Sequence, residues 1–307
     1  VASAYYDLVK ANKAVEIVGA NLERLKKYRD AAESRMKIGE LTRSALLRAE
    51  AELSAAKSEM VRAENAKRLA KTVLTSIVGA GEDYEIKKPL PEDKFTFDVC
   101  GLDVPDALQC LKERARAERA ELKSFRLQEG ISRAQVGVAR GSYWPSLSIE
   151  GAYARMESDP ASVNSLEESA YGGLRLTFLF FDGGQRRAEL AQSRARNTQA
   201  ALLLSEMEKT VATQVERAYL EFTAQRELLS SAREQLAYAK ENYGAVSRQF
   251  ELGLSSSLDL MDANTLLLNS ENQHLNADLG LGLAELKLMR ESGVFLKAIN
   301  QSARNEK

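Results

Sequence analysis

The chain has 307 residues, with 43 Lys and Arg against 44 Asp and Glu, a net charge of −1, 28% charged and 44% hydrophobic residues. That balance excludes general nucleic-acid binding, which needs a basic face. No run of eighteen apolar residues occurs, which excludes a transmembrane helix, and the length predicts one to three domains.

The five prolines, Pro89, Pro91, Pro105, Pro145 and Pro160, all fall between positions 89 and 160. Proline inside a helix costs about 3 kcal/mol, so the proline-free segments 1–88 and 161–307, rich in Ala, Leu, Glu and Arg, are predicted to be long helices. In the first, Ala4, Leu8, Ala11, Val15, Val18, Leu22 and Leu25 recur at three- and four-residue spacing and predict a helix over 1–38. Gly39 interrupts it. The pattern resumes near Leu41 and runs through Leu46, Ala49, Leu53, Ala56, Met60 and Ala63 to Val78, where Gly79-Ala80-Gly81 ends it. A glycine helix stop followed at once by new periodicity predicts an antiparallel helical hairpin.

Residues 80–105 differ, with three of the prolines, Gly101 and a short Phe95-Thr96-Phe97 run; they are predicted to be a linker. Cys100 and Cys110 are either two unpaired thiols or a local disulfide, the choice depending on the redox compartment. A third helix is expected over about 106–139, capped by Asp103 or Pro105. A helical pattern from Gln185 to about Leu252 would be roughly 100 Å long. Gly253 then interrupts, and a last helix is expected from about Ser256 to Glu291.

Between the third and fourth helices, Tyr143 to Gly184 changes period. Leu147, Ile149, Gly151 and Tyr153 alternate with Ser146, Ser148, Glu150 and Ala152. Leu174, Leu176, Phe178 and Phe180 alternate with Arg175, Thr177 and Leu179. Period-2 alternation predicts a β-hairpin with two different faces, joined by a polar connection over 157–169. Each strand is about ten residues long, enough to cross a bilayer when tilted. Tyr143, Trp144, Phe180 and Phe181 gather at one end, and Tyr153 and Tyr171 nearer the other. The pattern fits either a membrane hairpin with aromatic girdles or a soluble hairpin packed on a core. Two strands cannot close a barrel, so spanning needs several copies or repeats.

The chain also repeats itself. At an offset of 214 residues, Ala4-Tyr5 falls on Ala218-Tyr219, Leu22 on Leu236, Gly39 on Gly253, Leu46 on Leu260, Leu53 on Leu267, Leu74 on Leu288 and Gly79 on Gly293, without a gap. All four glycines coincide in one register. The chain begins at Val1 with neither an initiator Met nor a signal-peptide pattern, so a processed protein or a fragment is expected. The repeat predicts about 110 further upstream residues, including a second strand hairpin.

In the turn after Gly253, Ser255 or Ser256 can cap the following helix, and acids in its first turns favour the helix dipole. That is one reading of Asp259, and a solvated helix face is one reading of Asp262. The other makes both a ring of carboxylates at a pore mouth, attracting cations. His274, the only histidine, reads as a surface or interface residue. No nucleophile–base set, P-loop or paired-acid constellation is visible, so the sequence does not read as an enzyme and predicts no cofactor or metal.

The doubled helical hairpin, the Tyr143-Trp144-Pro145-Ser146-Leu147 entry to a strand, the Phe181-Asp182-Gly183-Gly184 exit into a long helix and the Gly39 and Gly253 turns together resemble the TolC-type outer-membrane efflux protein family. The resemblance covers nearly the whole chain. It implies a mainly α fold with a β-hairpin: long antiparallel helical hairpins forming a periplasmic α-barrel, and strands of a 12-stranded transmembrane β-barrel in a homotrimer. In those terms residues 1–79 are the helical hairpin of the first repeat, 80–105 an equatorial linker and 106–142 the upper α-barrel helix. Residues 143–184 are the transmembrane hairpin, 185–293 the second-repeat helical hairpin and 294–307 a C-terminal tail.

The resemblance further implies an outer-membrane location with most of the chain in the periplasm. The implied function is a passive duct exporting small molecules or polypeptides in a tripartite efflux pump or type I secretion system. Its partners would be a periplasmic adaptor, an inner-membrane transporter and outer-membrane lipid. Gly39, Glu40, Leu41, Gly253, Leu254 and Ser255 match the adaptor-docking tips, and Asp259 and Asp262 the acidic constriction. Leu147, Ile149, Leu174, Leu176, Phe178 and Phe180 would face lipid, and Glu150, Arg175 and Thr177 the lumen. An oxidising periplasm would favour a Cys100–Cys110 bridge. The Tyr, Arg and Asp of the family's tip latch are matched here by Phe250, Ser255 and Ala45, so a latch of that chemistry is expected to be absent. The competing reading is a soluble periplasmic coiled-coil adaptor or scaffold.

Overall fold

The computed structural model describes residues 1–79, 100, 106–155 and 168–295. The polar connection between the strands, most of the 80–105 linker, the proposed caps Asp103 and Pro105, and most of the C-terminal tail lie outside the described residues. The chain runs α1 (Ala2–Lys37), α2 (Arg43–Val78), α3 (Ala107–Glu118), α4 (Ala120–Gly141), β1 (Ser146–Arg155), β2 (Glu168–Thr177), α5 (Gln185–Glu251) and α6 (Ser257–Glu291). It is mainly helical with one small antiparallel strand pair. Two bodies form, one from residues 1–115 with 213–307 and one from 116–212.

In the first body, α1 and α2 pack as an antiparallel pair. Ala4 and Leu8, near the start of α1, meet Leu74, near the end of α2. At the other end Leu25, Tyr28 and Ala32 join Ala49, Leu53 and Ala56 of α2, Phe250 of α5, and Leu260 and Met261 of α6 in one core. Ala32 and Ala49 are completely buried; at these positions a small side chain lets helix backbones approach closely. Further along, Val9 packs on Leu275 and Leu279 of α6, and Leu229 and Ala232 of α5 pack on Ala277. The stripes that bury these residues are the three- and four-residue periodicities of the sequence.

A polar knot interrupts that apolar seam. Asn264 donates from Nδ2 to Oδ1 of Asn21 at 2.8 Å, both residues being buried. Arg24 donates from Nε to Asn264 Oδ1 at 3.0 Å and pairs with Glu271 at 3.0 Å, with its guanidinium 5.8 Å from the Tyr243 ring. Each buried polar group is matched, which such groups require, and the match holds only in one register of α1 on α6.

The single third helix expected over 106–139 is in fact two. Arg119 takes an extended conformation, φ −62° and ψ 127°, between α3 and α4. No glycine or proline marks the break; Arg119 is buried, 7% exposed, with its guanidinium on Glu121. Cys100 and Cys110 are joined by a disulfide with Cα atoms 5.9 Å apart, and Lys112 of α3 pairs with Glu216 of α5 at 2.7 Å.

In the second body, Arg126 of α4 reaches Glu208 of α5 at 3.5 Å. The strands pair in a ladder from Ser146 opposite Thr177 to Arg155 opposite Glu168. Because β2 ends at Thr177, Phe178 and Phe180 follow the strand rather than belonging to it, and their rings meet edge to face at 4.9 Å.

Candidate functional site: the paired helix turns and the strand hairpin

The two helix turns have the same backbone at the 214-residue offset. Gly39 has φ 79° and Gly253 φ 77°, a region open to glycine at little cost. Gly39 N–H donates to Met36 O and Gly253 N–H to Phe250 O, both at 3.0 Å. Glu40 N–H reaches Arg35 O at 2.9 Å, and Leu254 N–H reaches Gln249 O at 2.8 Å. This pair of bonds closes each helix end in a Schellman arrangement. The helices that follow are capped at equivalent positions too: Thr42 Oγ1 accepts from Ala45 N–H at 3.3 Å, and Ser256 Oγ from Asp259 N–H at 3.2 Å.

Ser256, not Ser255, is therefore the cap of α6. Asp259 completes a capping box, its Oδ2 accepting from Ser256 N–H at 2.9 Å and Ser256 Oγ–H at 2.7 Å. The bond from the Ser256 hydroxyl, then that from its backbone, holds the Asp259 carboxyl below its ordinary value. The carboxylate is exposed and ionised at neutral pH. Asp262 is exposed one turn further on. Ala45, the counterpart of Asp259, has no side chain to close a box, so the two turns differ in charge although their backbones agree.

A residue that periodicity did not single out ties the turns together. Arg35, in the last turn of α1, donates from Nη1 to Phe250 O at 2.7 Å and from Nη2 to Glu251 O at 3.1 Å. These carbonyls belong to the last turn of α5, where the helix dipole favours a cation. The guanidinium also lies 5.0 Å from the Phe250 ring and pairs with Glu40 at 3.3 Å. Phe250 itself is buried against Tyr28, 5.6 Å between centroids. Ser255 turns its hydroxyl to the neighbouring Ser256 O at 3.4 Å. The sequence signal was a basic residue at a helix C-terminus, which names the charge but not a carbonyl partner 215 residues away.

In the hairpin, Leu147 faces Leu176 and Ile149 faces Leu174 across the ladder, on one side of the sheet. Ser146 with Thr177 and Ser148 with Arg175 occupy the other, where Arg175 Nη2 pairs with Glu150 Oε2 at 2.7 Å. Both faces are open: Ile149 is 85% and Leu174 72% exposed on the apolar side, and Ser148 and Arg175 are exposed on the other. Trp144, Tyr143, Phe180 and Phe181 are exposed at the helix-proximal end. The return into α5 is shaped by Gly183 and Gly184, φ 63° and 93°, with Asp182 just before them. Asp182 accepts from Gly184 N–H, Arg186 N–H and Arg186 Nε–H at 3.0, 3.0 and 2.6 Å.

His274 is half-buried in an open groove of about 370 Å³ with Lys13 and Glu16 of α1, Lys240 of α5, and Glu271 and Asp278 of α6. Among the described residues no cluster of His, Cys, Asp and Glu could hold a metal ion.

A family model described as outer membrane efflux protein matches residues 111–294. The chain is 22% identical over 301 residues to the outer membrane protein TolC of Vibrio cholerae, covering 96% of this chain and 67% of that protein. It is 22% identical to the alkaline protease secretion protein AprF of Pseudomonas aeruginosa, covering 97% of this chain and 61% of that protein. Its fold matches the crystal structure of the outer membrane protein VceC of Vibrio cholerae with a TM-score of 0.77 at 20% identity, over 95% of this chain and 68% of that one.

Proposed function

This chain belongs to the outer membrane efflux protein family, which places it at the outer membrane with its helical portion in the periplasm, and from that premise we propose that it is part of a passive export duct. Three copies line one channel, their strands closing a 12-stranded barrel in the outer membrane and their helices a periplasmic α-barrel. Small molecules or polypeptides pass unchanged, in a tripartite pump or a type I secretion system. A periplasmic adaptor docks on the turns at Gly39-Glu40-Leu41 and Gly253-Leu254-Ser255, and an inner-membrane transporter supplies the substrate.

The observation that carries this reading is the hairpin, whose apolar side is left open in the isolated chain. Leu147, Ile149, Leu174 and Leu176 form one uninterrupted exposed patch. Water is a poor solvent for such a patch, and lipid against one face with a polar lumen against Glu150, Arg175 and Thr177 satisfies both sides. Phe178, Phe180 and the Trp144 rim extend the lipid-facing zone. A soluble scaffold leaves this face unexplained.

The repeat supports assembly into a ring. Met261 and Leu275 of α6 are buried against α1, whereas their counterparts in α2, Leu47 and Val61, are exposed. Tyr6 and Ala14 of α1 pack beside α6, whereas their counterparts in α5, Leu220 and Leu228, are exposed. Between neighbouring copies, α2 against α5 would reproduce the α1–α6 contact. Such a head-to-tail interface generates closed rings.

Asp259 and Asp262 are assigned to an acidic constriction. Single-channel recording of the complete protein in planar bilayers tests the duct: stable conductance is expected, and a protein that needs no detergent and gives no conductance would sink the reading. Asp262→Asn should then reduce cation selectivity, read from the reversal potential in a salt gradient; an unchanged potential removes Asp262 from the constriction.

A further inference from the structure

The helical ends that adjoin the hairpin carry a charge bias absent from the chain as a whole. Residues 130–141 of α4 and 185–200 of α5 hold six arginines, Arg133, Arg140, Arg186, Arg187, Arg194 and Arg196, against the single acid Glu189, in a chain of net charge −1. Arg133 is engaged by Glu129 at 2.7 Å and Arg186 by Asp182. Arg140 and Arg194 are exposed and hold no ion pair among the described residues.

These last two converge. Arg133 and Arg140 of α4 and Arg194, Asn197 and Thr198 of α5 line an open groove of about 480 Å³, within the size range of ligand sites. Asn197 Oδ1 is buried there without a hydrogen-bond partner. Turned about its amide axis, Asn197 would present Nδ2–H₂ instead, so the groove can offer guanidinium and amide donors. Guanidinium groups bind phosphate through paired N–H donors.

The groove is continuous with the aromatic rim. The Arg140 carbonyl accepts Tyr143 N–H at 3.2 Å, and Gly141 O accepts Trp144 N–H at 3.0 Å. The Arg186 guanidinium lies 5.4 Å from the Tyr143 ring. Aromatic girdles of this kind sit at headgroup depth, where long cationic side chains reach phosphate. We propose that the groove between α4 and α5 binds the phosphate of an anionic phospholipid headgroup at the edge of the bilayer that receives the hairpin. This rests on the hairpin being embedded, as in the duct reading above.

Trp144 is the only tryptophan of the chain and lies four residues beyond Arg140, so it reports on lipid at the groove. The test uses the complete protein, with any tryptophan outside this chain changed to Phe. It is reconstituted into phosphatidylcholine vesicles containing phosphatidylglycerol, with either lipid brominated. Brominated phosphatidylglycerol should quench Trp144 preferentially, and with about fivefold weight per arginine at an anionic surface the two free arginines should give a local preference of roughly 25-fold. R140Q/R194Q should abolish the preference, and R140K/R194K, which keeps the charge, should retain most of it. Equal quenching by the two lipids in the unmutated protein overturns the proposal. So does displacement by millimolar inorganic phosphate, which would make the groove a site for free anions. An absence of quenching by either lipid, with no flotation of the protein with vesicles, would instead refute the embedded hairpin on which the proposal stands.

Discussion

Replacing Arg35 by Met tests whether the two helix turns are held together by that one side chain. The substitution keeps an apolar stem over Phe250 and removes the guanidinium, with its bonds of 2.7 Å to Phe250 O and 3.1 Å to Glu251 O. A charge-assisted hydrogen bond contributes about 1.5–3 kcal/mol. Phe250 O keeps the bond from Gly253 N–H, and Glu251 O lies at an exposed helix end where water substitutes. Those replacements bring the loss for opening the second turn to about 2 kcal/mol, below the sum of two such bonds. The pair with exposed Glu40 adds at most ~1 kcal/mol. A 2 kcal/mol loss is roughly a 30-fold change in a local opening equilibrium. The Gly253 and Leu254 amides, which close that turn, should exchange with deuterium roughly 30-fold faster, measured on peptides covering 249–256. The Gly39 turn should change less, because Glu40 N–H bonds the Arg35 backbone. Arg62→Met, on an exposed face where it pairs with Glu59, is the control. Unchanged exchange at Gly253 and Leu254 in a helical Arg35→Met protein would refute the clasp.

Three further outcomes follow from the same geometry. Asn264→Leu should lower thermal stability by about 1–3 kcal/mol, because Asn21 Oδ1 is left buried without its donor; N21L/N264L should recover part of that loss, and a double variant no better than the single one would contradict the pairing. Ala32→Leu should cost about 1–3 kcal/mol by overfilling a completely buried position, whereas Ala55→Leu on the exposed face of α2 should stay within about 0.5 kcal/mol; equal effects in thermal unfolding would mean that Ala32 does not set the helix spacing. Asp259 has a folded pKa below its ordinary 3.8, so its cap contributes stability above that pH and loses it as pH falls through the lower folded value; the protection of the Ser256 amide relative to its intrinsic exchange rate should fall on acidification through that lower value in the native protein and show no such step in Asp259→Asn.

Much of the architecture was legible because it is written in local periods. The three- and four-residue spacing from Ala4 to Leu25 marked α1, and Gly39 and Gly253 marked both turns because a left-handed residue is needed there. The 214-residue repeat marked equivalent glycines whose hydrogen bonds then superposed. Alternation marked both faces of the hairpin, since side chains of a strand must point to opposite sides. The resemblance to the family rested on the order and spacing of these same signals.

What the sequence left open depends on local geometry that propensity does not fix, or on partners far along the chain. The cap of α6 could be Ser255 or Ser256 until its geometry chose Ser256 and engaged Asp259. The break at Arg119 carries no glycine or proline, since burial of that arginine on Glu121, rather than a local propensity, accompanies it. Phe178 and Phe180 continue the alternation but lie past the last ladder pair, because alternation does not say where hydrogen bonding stops. The Arg35 clasp and the Asn21–Asn264 bond join residues more than 200 apart. Their side chains look like ordinary helix surface until α1 is packed against α5 and α6. By itself, then, the sequence determined the helices other than the break at Arg119, the strands, the turns and their duplication, because backbone propensity and periodicity act within a few residues. Tertiary structure alone decided which polar side chains meet, because that depends on helix register and spacing, which no single segment contains.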